Sequence, residues 1–355
     1  MNETSMPRRS VAVQLPAIAR ASNVADRYAL ELEALAAIAD IVEVDGSTPE
    51  RFIEGARRAD ALITSWGIRI DRQIIAGLER CVVIGVGSVG VDMVDVTAAT
   101  EAGIVVTNVP DVFIEEVADH ALMLLLAATR RVRETDAMAR DGRWFDGRPL
   151  LNRTPRLMGR TLGLVGFGNV GRCVARRAAG FGLHVIAHDP YLSELAVSEA
   201  GVEPVGWGEL LERADYLSLH TPLNPETHHL LDAAAFARIK PGAVIVNTAR
   251  GPIIDEAALL EALASGRVGA AGLDVLEQEP PAADNPLFAL DNVIITPHVA
   301  SATTRMRPET RRRVGREVAL VLNGRWPMSC VNPTVLPKLE LERWQPYPMS
   351  RGPNR

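Results

Sequence analysis

Cysteine is scarce in this chain: there are three in 355 residues, Cys81, Cys173 and Cys330, odd in number and far apart. That usage excludes a disulfide framework and makes a reducing cytoplasm the expected location. Long apolar runs are missing too. No uncharged stretch reaches the roughly 18–20 residues a bilayer span requires, and the richest segment, Val117–Ala128, contains Asp119 and His120. Near the N-terminus Gln14 and Pro16 interrupt the apolar residues too early for a secretory signal. Nor is there a general basic surface. The 38 Lys and Arg face 44 Asp and Glu, a net charge of −6, so neither nucleic acid nor membrane is an expected partner. What is present is an ordinary globular composition, 47% hydrophobic and 23% charged, long enough for two domains.

From Ser10 onward, short β-rich runs alternate with helix-length segments. Strands are expected at Val11–Leu15, Ile41–Val44, Ala61–Thr64, Val82–Ile84 and Ile104–Thr107. Asn108–Val109–Pro110 breaks the rhythm, Phe113–Arg131 reads as one long helix, and Arg140–Arg156 as a loop. A second series follows, with strands expected at Thr161–Val165, His184–His188, Tyr216–Leu219, Val244–Asn247, Gly272–Asp274 and Val293–Thr296. Strands alternating with helices predict parallel sheets covered on both faces. The polar helix Thr303–Asn323 has no strand partner in the second series and is expected to return to the first domain. Residues 1–9 and 338–355 read as poorly ordered tails.

The pattern G-x-G-x-x-G occurs twice, at Gly85–Gly90 and Gly166–Gly171. The second follows the apolar strand Thr161–Val165 and opens a helix of small residues, and its next strand ends at Asp189, 18 residues after Gly171. This is the layout of a dinucleotide site. Gly166, Gly168 and Gly171 let the backbone approach a pyrophosphate, the helix start offers free N–H groups, and Asp189 receives the ribose hydroxyls. The segment His188–Asp189–Pro190–Tyr191 has no Arg or Lys for a 2′-phosphate, so the expected cofactor is NAD. After Gly90 come Asp92 and Asp95, which would oppose a pyrophosphate. The first cluster is therefore expected to be a tight turn whose amides face a different anion.

Three strand-end segments carry polar residues: VIVNTARG (Val244–Gly251), GLDVLEQEPP (Gly272–Pro281) and VIITPHVA (Val293–Ala300). Ligands of open α/β sheets bind beyond the carboxyl ends of the strands, so Arg250, Asp274, Glu279 and His298 are expected to converge. An Arg grips a carboxylate with two prongs. A His exchanges a hydroxyl proton near neutrality, and a neighbouring Glu orients that ring and steadies its charged form. His120, His184, His188 and His220 read as packed or capping residues. His228–His229 lacks the spaced partners of a zinc site, so no metal is expected. The arginines of Arg305–Arg316 read as a solvated helix face.

With these motifs in order, together with HTPLNPET (His220–Thr227) and KPGAVIVNTARG (Lys240–Gly251), the chain resembles the D-isomer-specific 2-hydroxyacid dehydrogenases from about residue 40 to 335. The gaps of 29 residues from Arg250 to Glu279 and 19 to His298 suit that family. The resemblance implies an α/β fold of two Rossmann-like, doubly wound parallel-sheet domains. Residues 1–111 and 299–337 would form a discontinuous substrate domain, 112–298 an inserted NAD-binding domain, and 338–355 a tail. It implies His298 as acid/base, Glu279 as its partner and Arg250 as the substrate arginine. Asp274 would hold the nicotinamide carboxamide, Asn169 and Val170 would face the pyrophosphate, and Thr221, Pro222, Thr248 and Ala249 would line the groove. Val89 and Gly90, with Ser65, would meet the substrate carboxylate, and Phe113–Arg131 resembles the family's homodimer segment. Ser65–Trp66 stands where phosphoglycerate-type members commonly carry Arg–Ser, which argues against a phosphorylated substrate. Two functions stay open: an enzyme interconverting a D-2-hydroxy acid and its 2-keto acid, and an NAD-sensing binding protein like the C-terminal-binding corepressors.

Overall fold

The structure is a computed structural model describing residues 8–14, 23–64, 67–152 and 154–343. The chain divides into two compact units, Met1–Val112 with Thr304–Arg355, and Phe113–Thr303. The first is built on β1 (Arg9–Gln14), β2 (Ala39–Val44), β3 (Ala61–Thr64), β4 (Val83–Val86) and β5 (Val105–Thr107). Their order is β2-β1-β3-β4-β5, all parallel. The helix Met306–Leu322 lies on this sheet, where a Cβ at Gly85 would meet Val318 at 2.6 Å and Val314 at 2.9 Å. The first glycine of the first cluster thus admits a helix, and no helix opens at the cluster itself: the next begins at Val96, capped by Asp95.

The second unit carries β6 (Thr161–Val165), β7 (His184–His188), β8 (Glu203–Pro204), β9 (Tyr216–Leu219), β10 (Ala243–Asn247), β11 (Val268–Leu273) and β12 (Val293–Ile295). They pair in parallel in the order β12-β11-β10-β9-β6-β7-β8, which reverses direction between β6 and β9. In such sheets the crevice at that switch point receives the ligand. Successive residues face opposite sides. Leu162, Leu164, Val244 and Val246 join the helices Ile114–Thr129 and Asn169–Gly180, while Val165, Leu217, Leu219 and Ile245 join Trp207–Arg213 and Glu256–Ala264.

Two expectations need correction, and one strand carries no sequence signal. The two-residue strand Glu203–Pro204 was too short to show a period. The stretch read as a loop contains the helix Gly147–Leu151. The expected tails begin elsewhere: Arg9 starts β1, and Glu342 is tied down, its amide donating to Gly324 O at 2.7 Å and its carbonyl accepting from Trp326 N at 2.9 Å. The second compact unit runs on to Thr303, because Asp274 accepts the amides of Val299 and Ala300 and keeps that turn with β11 and β12.

Candidate active site

The glycine turn after β6 has the geometry its spacing predicts. Gly166 has φ +89, and a Cβ there would lie 2.8 Å from His220 O. A Cβ on Gly171 would lie 2.5 Å from Gly166 O. At Gly168 a Cβ would meet nothing within 4 Å, and this residue caps the helix Asn169–Gly180 without a side-chain hydrogen bond. Asn169 and Val170 form its first turn, so the amides there are placed for an anion. Asp189 follows β7. Its Oδ2 accepts from Phe167 N at 2.9 Å and its Oδ1 from Tyr191 N at 3.0 Å, which fixes the carboxylate beside the turn with lone pairs to spare. Arg172 stacks its guanidinium 4.8 Å from the Phe167 ring centre. Across the switch point, Thr221 and Pro222 follow β9, and the Thr248 hydroxyl after β10 is buried with no partner. A glycine cradle, a fixed acid and an orphaned buried hydroxyl together suit a dinucleotide.

His220 belongs to the frame. It is partly buried, its Nε2 lies 2.9 Å from Ser218 Oγ, and desolvation pushes its pKa down to about 3, so the ring is neutral.

The strand-end residues of the second unit do converge. His298 and Glu279 are in contact, Nδ1 to Oε2 at 2.7 Å. Burial opposes charge on Glu279, yet His298, the Leu276 amide and the Arg250 charge together hold its carboxyl below the ordinary range. Arg250 follows Asn247, whose amide group donates to Arg250 O at 2.8 Å while its Oδ1 accepts from Ala249 N at 3.0 Å. Asn247 thereby shapes the turn that carries Thr248, Ala249 and Arg250. Arg250 Nη1 donates to Ala249 O at 2.6 Å. Gly251 passes under the neighbouring loop so closely that a Cβ would sit 1.8 Å from Leu276 O. A cleft of about 590 Å³, lined by Glu279, His298, Asp274, Thr296, Pro281 and Phe288, adjoins the pair.

Asp274 has more partners than its sequence suggested. It is 1% exposed and accepts from the Thr296 hydroxyl at 2.5 Å, Val299 N at 3.0 Å and Ala300 N at 2.8 Å. Burial works against its charge, but His120, Thr296 and these amides hold it ionised, below the ordinary carboxylate range. Sequence reasoning had passed over Asn247, Thr296 and Gly251. All three sit inside the quoted motifs, but their roles depend on which backbone they meet.

Within the first unit, Val89 and Gly90 lie in the loop after β4. It is pinned by Ser88 Oγ donating to Gly90 O at 2.7 Å and Asn108 Nδ2 donating to Val89 O at 2.7 Å. Ser65, with Trp66, lies outside the described residues. No group of three or more His, Cys, Asp or Glu arranged for a metal ion, and no helix long and apolar enough to cross a membrane, occurs among the described residues.

Comparison with known proteins decides the family. Residues 122–300 match the D-isomer specific 2-hydroxyacid dehydrogenase, NAD binding domain. The chain belongs to the D-isomer specific 2-hydroxyacid dehydrogenase family. It is 41% identical over 305 residues to the D-3-phosphoglycerate dehydrogenase of Mycobacterium leprae, covering 84% of this chain and 56% of that one. It is 40% identical over 285 residues to the glyoxylate reductase of Korarchaeum cryptofilum, covering 80% and 86%. A crystal structure of a glyoxylate reductase from Paecilomyes thermophila superposes with a TM-score of 0.81 at 31% identity, covering 93% of this chain and all of that one. The chain therefore spans little more than half the length of the phosphoglycerate dehydrogenases it matches. The second unit is the family's NAD-binding domain, and the corepressor-like alternative finds no support among these relatives.

Proposed function

We propose that the protein is an NAD-dependent oxidoreductase interconverting a D-2-hydroxy acid and its 2-keto acid. The observation that carries this reading is the 2.7 Å contact between Glu279 and His298 on the strand-end turns that also carry Arg250. Bound NAD(H) supplies the hydride donor and acceptor. Arg250 grips the substrate carboxylate and draws charge from the carbonyl oxygen. His298, held at Nδ1 by Glu279, gives that oxygen a proton from Nε2 during reduction and takes it back during oxidation. Asp189 favours NAD over NADP, since its carboxylate repels a 2′-phosphate. Asp274 retains a lone pair for the carboxamide.

The substrate is a short unphosphorylated acid, because Ser65–Trp66 offers no cation for a phosphate. The protein works in the cytoplasm as a homodimer through the segment around Ile114–Thr129. Pure protein is to be incubated with NADH and a panel of 2-keto acids, glyoxylate among them, beside a phosphorylated one, while nicotinamide absorbance is followed. Turnover of a short member supports the reading, and no turnover anywhere overturns it. Equal turnover with NADH and NADPH removes the cofactor preference.

A further inference from the structure

A partly buried polar chain runs beneath the His298 turn and begins on the helix Ile114–Thr129. His120, with 17% of its side chain exposed, places Nε2 2.9 Å from Thr296 Oγ1 and 3.4 Å from Asp274 Oδ1. Thr296 has a single hydroxyl proton, and its oxygen lies 2.5 Å from Asp274 Oδ1. Asp274 is ionised and can only accept, so the threonine proton points at it. Thr296 Oγ1 must then accept from His120, whose Nε2 carries the hydrogen. The direction of the chain is set: His120 N–H to Thr296 O–H to the Asp274 carboxylate.

At its far end the same carboxylate holds the amides of Val299 and Ala300, and Asp274 O accepts from His298 N at 2.8 Å. His298 itself has φ +52, a left-handed conformation uncommon for a residue with a side chain. Such a conformation persists when its surroundings over-determine it. The backbone carbonyls of Asp274 and Thr296 accept the His298 amide, the Asp274 carboxylate fixes the two residues that follow, and the orientation of that carboxylate is set from below.

We propose that His120 is a positioning residue for His298, acting through Thr296 and Asp274 to hold the left-handed turn that presents the ring to Glu279. This rests on the reading of His298 as the proton-exchanging group, so the test includes an arm that does not need catalysis. His120→Leu keeps apolar bulk and removes the donor. His120→Gln returns an N–H near the position of Nε2. Should the leucine variant fail to fold, His120→Asn, too short to reach Thr296, takes its place.

Amide hydrogen exchange across 298–300 in the intact protein, without substrate, is expected to speed up roughly tenfold in His120→Leu and to recover in His120→Gln, with β10 unchanged in both. In parallel, kcat for keto-acid reduction is expected to fall about 10–100-fold in His120→Leu. His120→Gln should restore the rate. Unmoved exchange in His120→Leu, or a His120→Gln variant as impaired as His120→Leu, overturns the proposal. An unmodified protein that reduces no 2-keto acid overturns the functional reading instead, and the exchange arm still decides the role of His120.

Discussion

Arg250 and Glu279 do different work, and their substitutions should fail differently. Arg250 presents a planar fork, whereas lysine offers a point charge on a flexible stem. Arg250→Lys should lower kcat/KM for the keto acid by roughly 10²-fold while NADH affinity is nearly kept. Near-normal turnover in steady-state assays would show that Arg250 does not clamp the substrate. Glu279 stays ionised through neutrality because its carboxyl is held below the ordinary range. It holds His298 Nδ1 at 2.7 Å and so fixes the orientation of the ring. Glu279→Ala frees the ring, and kcat should fall by roughly 10²-fold in both directions. Steady-state assays forward and reverse check this, and an unchanged kcat would leave Glu279 a structural residue. These residues were legible beforehand because each stands at a strand end in a fixed order. Thr296 was not, since a threonine after a strand declares nothing until a carboxylate is found 2.5 Å away.

Two segments cross at Gly251. Its backbone runs against Leu276 O, leaving no room for a methyl group. Gly251→Ala must part the turn carrying Arg250 from the loop carrying Glu279. A misplacement of about 1 Å costs on the order of 10² in rate, so kcat should fall by about that factor while NADH binding, measured by fluorescence, is retained. Gly180→Ala is the control: it is exposed in the last turn of Asn169–Gly180 and a Cβ there meets nothing within 4 Å. That change should stay within about 0.5 kcal/mol of neutral. The helix Met306–Leu322 shows a related lesson in charge. Three of its five arginines pair within their own unit: Arg311 with Glu31 at 2.6 Å, Arg312 with Glu33 at 3.0 Å and Arg313 with Glu317 at 2.7 Å. Glu317 is fully buried and also accepts from Met328 N at 2.8 Å, so this charge is internal bracing.

Acid stability is a property of the whole molecule that the site helps to set. Asp274 and Glu279 are both held below their ordinary values of 3.8 and 4.5. A group depressed in the folded state contributes stability that is complete above its unfolded value and is lost as pH falls through its folded one. Thermal unfolding should therefore be flat from pH 8 to about 6 and decline below about 5. Asp274→Asn should unfold earlier at pH 7, because the Val299 and Ala300 amides lose a charged acceptor, yet lose less on acidification. A variant whose midpoint drops as steeply as the unmodified protein's would show that other carboxylates govern the acid limb. The three cysteines are free thiols, and burial pushes Cys81 up to about 12, so thiol chemistry adds nothing to this balance near neutrality.

Sequence alone determined what is periodic or punctuated. Alternating apolar strands, helix-length spacers and the glycine turn ending in Asp189 are local patterns, and local backbone sterics and burial suffice to read them. It could order Arg250, Glu279 and His298 along the chain, and the strand-end rule brought them together on paper. Only the tertiary structure decided what depends on two distant segments meeting. Gly85 of the first glycine cluster makes room for Val318 of a helix more than 200 residues later. Asp274 faces the amides of Val299 and Ala300, Gly251 runs under Leu276, and His120 reaches Thr296. Hydrogen bonds and steric exclusion act over a few ångströms in space, and no spacing along the chain encodes them.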